Sequence, residues 1–325
     1  MRDRMKGSTR ARLVAGMAAL GLLLAACSGA KTETGGGGSA GGTKGTVKVA
    51  INPWVGYEAN AAVVGYLLEN ELGYKVENKN LKEEVAWQGF ETGEVDVILE
   101  NWGHDDLKKK YIEEKKVAVQ VGPTGNEGII GWYIPAWMPE QYPDITKWQN
   151  LNKYANLFKS SESGGKGQLL DGDPSFVTND EALVKNLKLD YKVVYSGGEA
   201  ASIKAALQAT KQRKPLLFYF YEPQWAHAQA KFTRVELPAY KAGCDADPKK
   251  VACDYPPYVL DKIASKRFAD TGGKAYELIK NFKWTNADQN EVANAMTNDK
   301  LPAEQAAKKW VDAHKDVWQA WIPTS

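Results

Sequence analysis

Four places in this 325-residue chain set an aromatic side chain just past a strand-like run, among turn-forming residues. They are Trp54 in INPWVGY, Trp102 in LENWGH, Phe176 in GDPSFVT, and the run Tyr219, Tyr221 and Trp225 in FYFYEPQW. Strand ends are where α/β proteins place ligands, because side chains there face a crevice rather than a packed layer. Several aromatic faces converging on one crevice suit one chemical task, the binding of a quaternary ammonium. Such a cation has no N–H to donate, so a carboxylate neutralises it without orienting it, whereas ring faces present negative quadrupole density on several sides. Each face contributes about 0.5–2 kcal/mol, depending on desolvation. Three or four supply a large share of the roughly 8 kcal/mol behind a micromolar affinity.

The same run, VDVILENWGHDD, puts Glu100 two residues before Trp102 and His104 two after it. In a regular strand, positions 100 and 102 share a face, which brings Glu100 toward the candidate site. The plainer alternative has Glu100 pointing away, paired with a lysine. With eleven Trp and fifteen Tyr, most aromatics must be core. Trp148, Trp284, Trp310, Trp318 and Trp321 sit in helical or helix-flanking patterns and are read as packing, while Trp132 and Trp137 stay open.

The elements that must position these residues alternate in period. TVKVAINPW reads as a strand, EANAAVVGYLLENELG as a helix stopping at Gly73, YKVENKNL as a strand, VAWQGFETGEV as a short helix ending near Gly93, and DVILENW as a strand. This β-α-β-α-β rhythm predicts a largely parallel sheet with crossover helices. A second set begins near Gly128 and runs through GQLLDGDPS, NDEALVKNLKL, YKVVYSG, EAASIKAALQATKQRK and PLLFYFYEPQW, and the last third is helix-rich. The fold class is therefore α/β, long enough for two lobes with a cleft between them.

The first 26 residues read as an address. Arg2, Arg4, Lys6, Arg10 and Arg12 precede the apolar run Leu13 to Ala26. As a helix that run spans about 21 Å, short of the roughly 30 Å of a hydrocarbon core, so a cleaved signal peptide is the reading. It closes on LAAC, like a bacterial lipobox, which makes Cys27 the lipidated mature N-terminus and anchors the protein on the outer face of the cell membrane. Residues 27–45 are rich in Gly and carry no large apolar side chain, and read as a tether. Residues 1–26 hold five basic side chains and one acid, so the formal net charge of +2 becomes −2 without them, and nothing argues for nucleic acid. The remaining cysteines, Cys244 and Cys253, form an even pair in an exported chain and are expected to be a disulfide.

NPWVGYEANAAVVGYLLENELGY, VAWQGFETGEVDVILENWGH, GDPSFVTNDEAL and FYFYEPQW together resemble the glycine betaine/proline betaine/choline substrate-binding proteins of ABC importers. The resemblance runs from about Thr46 to the C-terminus. It implies a two-lobed, type II periplasmic-binding-protein fold that closes on a compatible solute through an aromatic cage and docks on a membrane permease driven by an ATPase. Trp102 matches a cage tryptophan, Tyr221 an aromatic preceding the Glu222-Pro223 dipeptide, and Trp54 an aromatic at the first strand end. Phe176 lies where some relatives carry tryptophan in a Gly-rich turn, within a different local sequence. His104 is similar to a histidine that holds the betaine carboxylate, although there it stands farther from the tryptophan. Backbone N–H groups around Gly56 and Ser175 are the carboxylate donors implied for a betaine. Glu100 departs from that pattern, since an acid beside the cage favours choline over the carboxylate end of glycine betaine.

Residues 46–126 with 237–325 are expected to form one lobe and 127–236 the other, in a monomer that needs no cofactor or metal. Nucleophile-elbow, zinc-protease and P-loop patterns are absent, and the three histidines offer no i, i+4 metal pair, so an exported enzyme is the weaker reading.

Overall fold

The computed structural model describes residues 44–324. The expected signal peptide, Cys27 and most of the tether lie outside the described residues. Among the described residues nine strands form one hydrogen-bonded sheet: β1 (Thr46–Ile51), β2 (Lys75–Asn80), β3 (Val97–Asn101), β4 (Ala118–Pro135), β5 (Gly167–Asp171), β6 (Tyr191–Tyr195), β7 (Phe218–Glu222), β8 (Phe232–Arg234) and β9 (Tyr258–Ser265). Their order is β2-β1-β3-β9-β4-β7-β5-β6, with β8 also on β4. The longer helices are α1 (Val55–Asn70), α2 (Glu83–Thr92), α3 (Asp180–Asn186), α4 (Glu199–Gln212), α5 (Gly273–Asn281), α6 (Asn286–Thr297) and α7 (Ala303–Ala313).

Strand β1 runs parallel to β2 and β3, and β5 runs parallel to β6 and β7, as the alternating periods predict. The long strand β4 and the return strand β9 differ from that expectation. They pair antiparallel with each other, and β4 continues past Gly128 to pair antiparallel with β7 and β8. Gly122, Pro123 and Gly125 read as loop formers in sequence, yet they fall at register shifts of the β4–β9 ladder, where a bulge accommodates them. One strand thus links two half-sheets.

Two buried clusters form the core, one centred on the first half-sheet and reaching Phe218 and Phe220 of β7, the other confined to the second. In the first, Tyr57, Leu67 and Leu68 of α1 pack with Val47, Val49, Val97 and Leu99, while Trp310 of α7 meets Trp284 edge to face and stacks on Trp321. The second gathers Trp132, Ile134, Leu169, Leu183, Tyr191 and Leu217. Leu237, Val251, Cys253 and Tyr255 pack with this second cluster, so the chain returns to the first half-sheet only at β9, not at residue 237. Cys244 and Cys253 are disulfide-bonded within that segment.

Candidate functional site

The two half-sheets meet over an aromatic cavity. Its walls are Trp54, Trp102, Phe176, Tyr219, Tyr221 and Tyr258, with Glu83, His104, Ile130 and Val177 at the edges, and it encloses about 420 Å³ counting its mouth. Trp54 follows β1 at the N-cap of α1, Trp102 follows β3, and Phe176 lies in the turn after β5. Tyr219 and Tyr221 are alternate residues of β7 and so share a face, while Phe218 and Phe220 point into the first core cluster. Tyr258 opens β9.

The rings touch in sequence. Trp54 meets Phe176 edge to face at 5.7 Å, Phe176 lies 6.5 Å from Tyr219, Tyr219 lies 6.1 Å from Tyr221, and Tyr221 meets Trp102 edge to face at 5.7 Å. Trp102 also meets Tyr258 at 5.7 Å. The circuit is closed by Glu100, whose Oε1 accepts the indole N–H of both Trp54 and Trp102 at 2.8 Å. Each edge-to-face contact orients one ring by the quadrupole of the next, so the walls hold one another in place. Trp54, Tyr219 and Tyr221 are each 6% exposed, which marks a largely covered cavity.

Polar groups of two kinds surround the rings. At the rim, His104 Nε2 lies 2.5 Å from Glu83 Oε2. Burial opposes protonation of His104, but the Glu83 carboxylate outweighs it and holds the imidazole pKa above its ordinary value. Behind Tyr221, Glu199 at the start of α4 accepts the Tyr221 hydroxyl, Gln224 Nε2 at 2.7 Å and the backbone N–H of Val55 at 2.8 Å. Val55 is the first residue of α1, so a carboxylate from one half-sheet caps the helix dipole of the other. Burial raises the pKa values of Tyr219, Tyr221 and Tyr258, which stay neutral hydrogen-bond donors.

The residues singled out in sequence are placed unevenly. Trp54, Trp102, Phe176, Tyr221 and His104 line the cavity. Glu100 does not. It is 2% exposed and sits behind the two indoles, because both Trp N–H groups converge on it from the far side of the rings. Gly56 lies inside the first turn of α1, where a Cβ would come within 2.4 Å of Gln289 Nε2, so it packs rather than lines. Ser175 spends both its backbone N–H and its hydroxyl on Asp173 Oδ1, at 2.8 and 2.6 Å, and is not a free carboxylate donor. Trp225 is core.

Sequence reasoning missed Tyr258 and Glu83. Tyr258 is carried in by the return strand, with only the preceding Pro256-Pro257 as a signal, and Glu83 looks like an ordinary first-turn acid of a helix. Gly128, paired with Tyr258 across the β4–β9 ladder, proves to be part of the site as well. A Cβ there would lie 2.6 Å from Trp102 Cζ3, 2.9 Å from Leu260 Cδ2 and 3.0 Å from Tyr258 Cβ. Gly128→Ala is therefore expected to push Trp102 out of register and weaken ligand binding severalfold, with a smaller loss in thermal stability. Titration and melting of the one variant separate these effects, and wild-type affinity would show that the ring has room to yield.

Residues 45–313 match the family described as OpuAC, the substrate-binding domain of ABC-type glycine betaine transport systems. Among curated relatives, the chain is 24% identical over 286 residues to the trimethylamine N-oxide-binding protein of Pelagibacter ubique, covering 85% of this chain and 90% of that one. Among solved structures, lactococcal OpuAC in its closed, glycine betaine-bound form superposes with a TM-score of 0.68 at 22% identity, over 86% of this chain and all of that one. An ABC-transporter choline-binding protein in complex with choline gives a TM-score of 0.69 at 19% identity, over 85% of this chain and 91% of the other. The fold is that of the two-lobed periplasmic binding proteins. The chain belongs to the OpuAC family and is a solute-binding protein of ABC importers, not an enzyme.

Proposed function

We propose that this protein captures a quaternary ammonium solute, glycine betaine or a related betaine, in the aromatic cavity and delivers it to an ABC permease and its ATPase. The circuit of rings closed by Glu100 carries the reading. Aromatic faces on several sides suit a cation that offers no N–H group. The relatives and neighbours described above bind trimethylamine N-oxide, glycine betaine or choline, all of which carry a trimethylated nitrogen. For a betaine, His104 and the hydroxyls of Tyr219 and Tyr258 are the donors at hand for the carboxylate. Choline is the second reading, favoured by Glu83 at the rim and Glu100 behind the rings.

Two further parts of the proposal concern the chain around the cavity. Cys27 carries the lipid, and residues 27–45 tether a monomeric binding domain to the extracytoplasmic face of the membrane, free to reorient toward the permease. The lobes are residues 46–126 with the chain from β9 onward, and the segment between them, so that closure brings Trp54 and Trp102 against Phe176, Tyr219 and Tyr221.

Calorimetric titration of residues 44–325 with glycine betaine and choline, side by side, tests the functional reading. Saturable binding of either supports it, the preferred ligand naming the substrate. Silence from both would leave the fold and remove the cation cage.

A further inference from the structure

Glu100 is a buried carboxylate with four hydrogen-bond donors and no counter-ion. Oε1 accepts the Trp54 and Trp102 indoles, while Oε2 accepts Asn60 Nδ2 at 2.5 Å and Gln289 Nε2 at 2.9 Å. Among the described residues no lysine, arginine or histidine forms an ion pair with it. His104, which lines a small void together with Glu100, is paired with Glu83 instead. A buried charge without a counter-charge is costly. Here it sits directly behind two rings that line a cavity suited to a cation.

We propose that Glu100 is the counter-charge of the bound cation, acting through the indoles of Trp54 and Trp102, and so sets the preference for a quaternary ammonium over an uncharged molecule of the same shape. This rests on the functional reading above. A carboxylate on an indole N–H pushes electron density into the ring and strengthens its attraction for a cation over its face. In a water-poor site the charge also acts directly on the cation past the ring edges. Glu100 is thus a positioning and specificity residue, held at the N–H edges of the rings and outside the cavity lining.

The groups around Glu100 make its ionisation responsive. Tyr57 of α1 and Glu199 of α4 face it as electronegative neighbours, Gln289 comes from α6, and Glu83 of α2 shares with His104 the small void beside it. Burial pushes the Glu100 carboxyl up to about 7, against the pull of its hydrogen bonds from Trp54, Trp102 and Gln289, and the charge of Glu199 adds to the rise. A bound cation favours the ionised form. As pH falls through that range the proton must leave before the cation binds, so affinity falls with it. Above that range affinity levels off.

Choline and glycine betaine are titrated into the full chain and its Glu100→Gln variant between about pH 5.5 and 8.5, with 3,3-dimethylbutan-1-ol as the uncharged counterpart of choline. The wild type is expected to lose about tenfold in affinity for the cations toward low pH and to release a proton on binding. Glu100→Gln is expected to bind them about tenfold more weakly at high pH and to lose that slope, with its affinity for the alcohol unchanged. The variant fits the site, because Asn60 Oδ1 and Gln289 Oε1 both have no partner and the two amides can turn to accept the new NH₂ group that replaces Oε2. Cation affinity and pH slope equal to wild type in Glu100→Gln would overturn the proposal while leaving the functional reading intact, whereas a wild type that binds neither cation removes both. Should the variant fail to fold, proton release by His104→Gln decides. Release that persists on cation binding supports Glu100, and its loss assigns the proton to His104.

Discussion

Replacing Trp102 by alanine is expected to weaken quaternary ammonium binding tenfold or more while the protein stays folded. Trp102 contributes a face to the cavity, orients Tyr221 and Tyr258 by edge contacts, and fixes Glu100 through its N–H. A lost cation–π face amounts to about 1–2 kcal/mol in a desolvated site, and every 1.4 kcal/mol is roughly tenfold in affinity. The ring is only partly buried, packed against both core clusters without belonging to either, so its removal leaves each core intact. Trp102→Phe separates the two roles. It keeps a face and deletes the N–H, and an intermediate affinity is expected. Calorimetry with glycine betaine or choline, paired with thermal melts, checks both variants. Unchanged affinity in Trp102→Ala would make the ring mere packing.

Glu199→Ala is expected to have the second large effect, on stability and binding together. Its carboxylate ties the first backbone N–H of α1 to Tyr221 and Gln224 across the two half-sheets. Truncation leaves these buried donors without an acceptor, each at about 1–3 kcal/mol if water does not reach it. It also strips the N-terminus of α1 of a negative partner. Tyr221 loses the contact that sets its ring, so affinity should fall along with the melting temperature. The melting shift should be larger with ligand present, because weaker binding then also removes part of the stabilisation the ligand provides. A variant that melts and binds like the wild type would show that the two half-sheets close without this contact.

Much of the first half-sheet was legible because the hydrophobic period changes cleanly between β1, α1, β2, α2 and β3, with Gly73 and Gly93 as stops. Strand β4 was not, since Gly122, Pro123 and Gly125 carry loop chemistry and only the partner strand β9 makes them bulges. The walls of the cavity followed the same division. Residues that end a strand, such as Trp54 and Trp102, announce themselves locally. Tyr258 arrives on a return crossing whose place in the sheet no local pattern specifies. Glu100 was read as a neighbour of the ligand because strand alternation puts it on the side of Trp102. The convergence of a second indole, Trp54 at the N-cap of α1, draws it to the N–H edges of both rings and out of the cavity, and that is a tertiary fact. The fate of Ser175 was nearer the surface of the sequence. Asp173 two residues earlier is a standard capture of a backbone N–H by an Asx-type turn, and GDPS carries that signal.

On the proposed function, the cavity recognises positive charge by ring faces rather than apolar shape alone. The most direct measurement is a paired titration with glycine betaine and 3,3-dimethylbutanoate, which replaces the quaternary nitrogen by carbon and keeps the methyl groups and the carboxylate. Saturable binding of glycine betaine with at least about a hundredfold weaker binding of the carbon counterpart is the expected result, since several rings at roughly 0.5–2 kcal/mol each distinguish the two. Equal affinities would contradict it and reduce the aromatic circuit to a hydrophobic pocket.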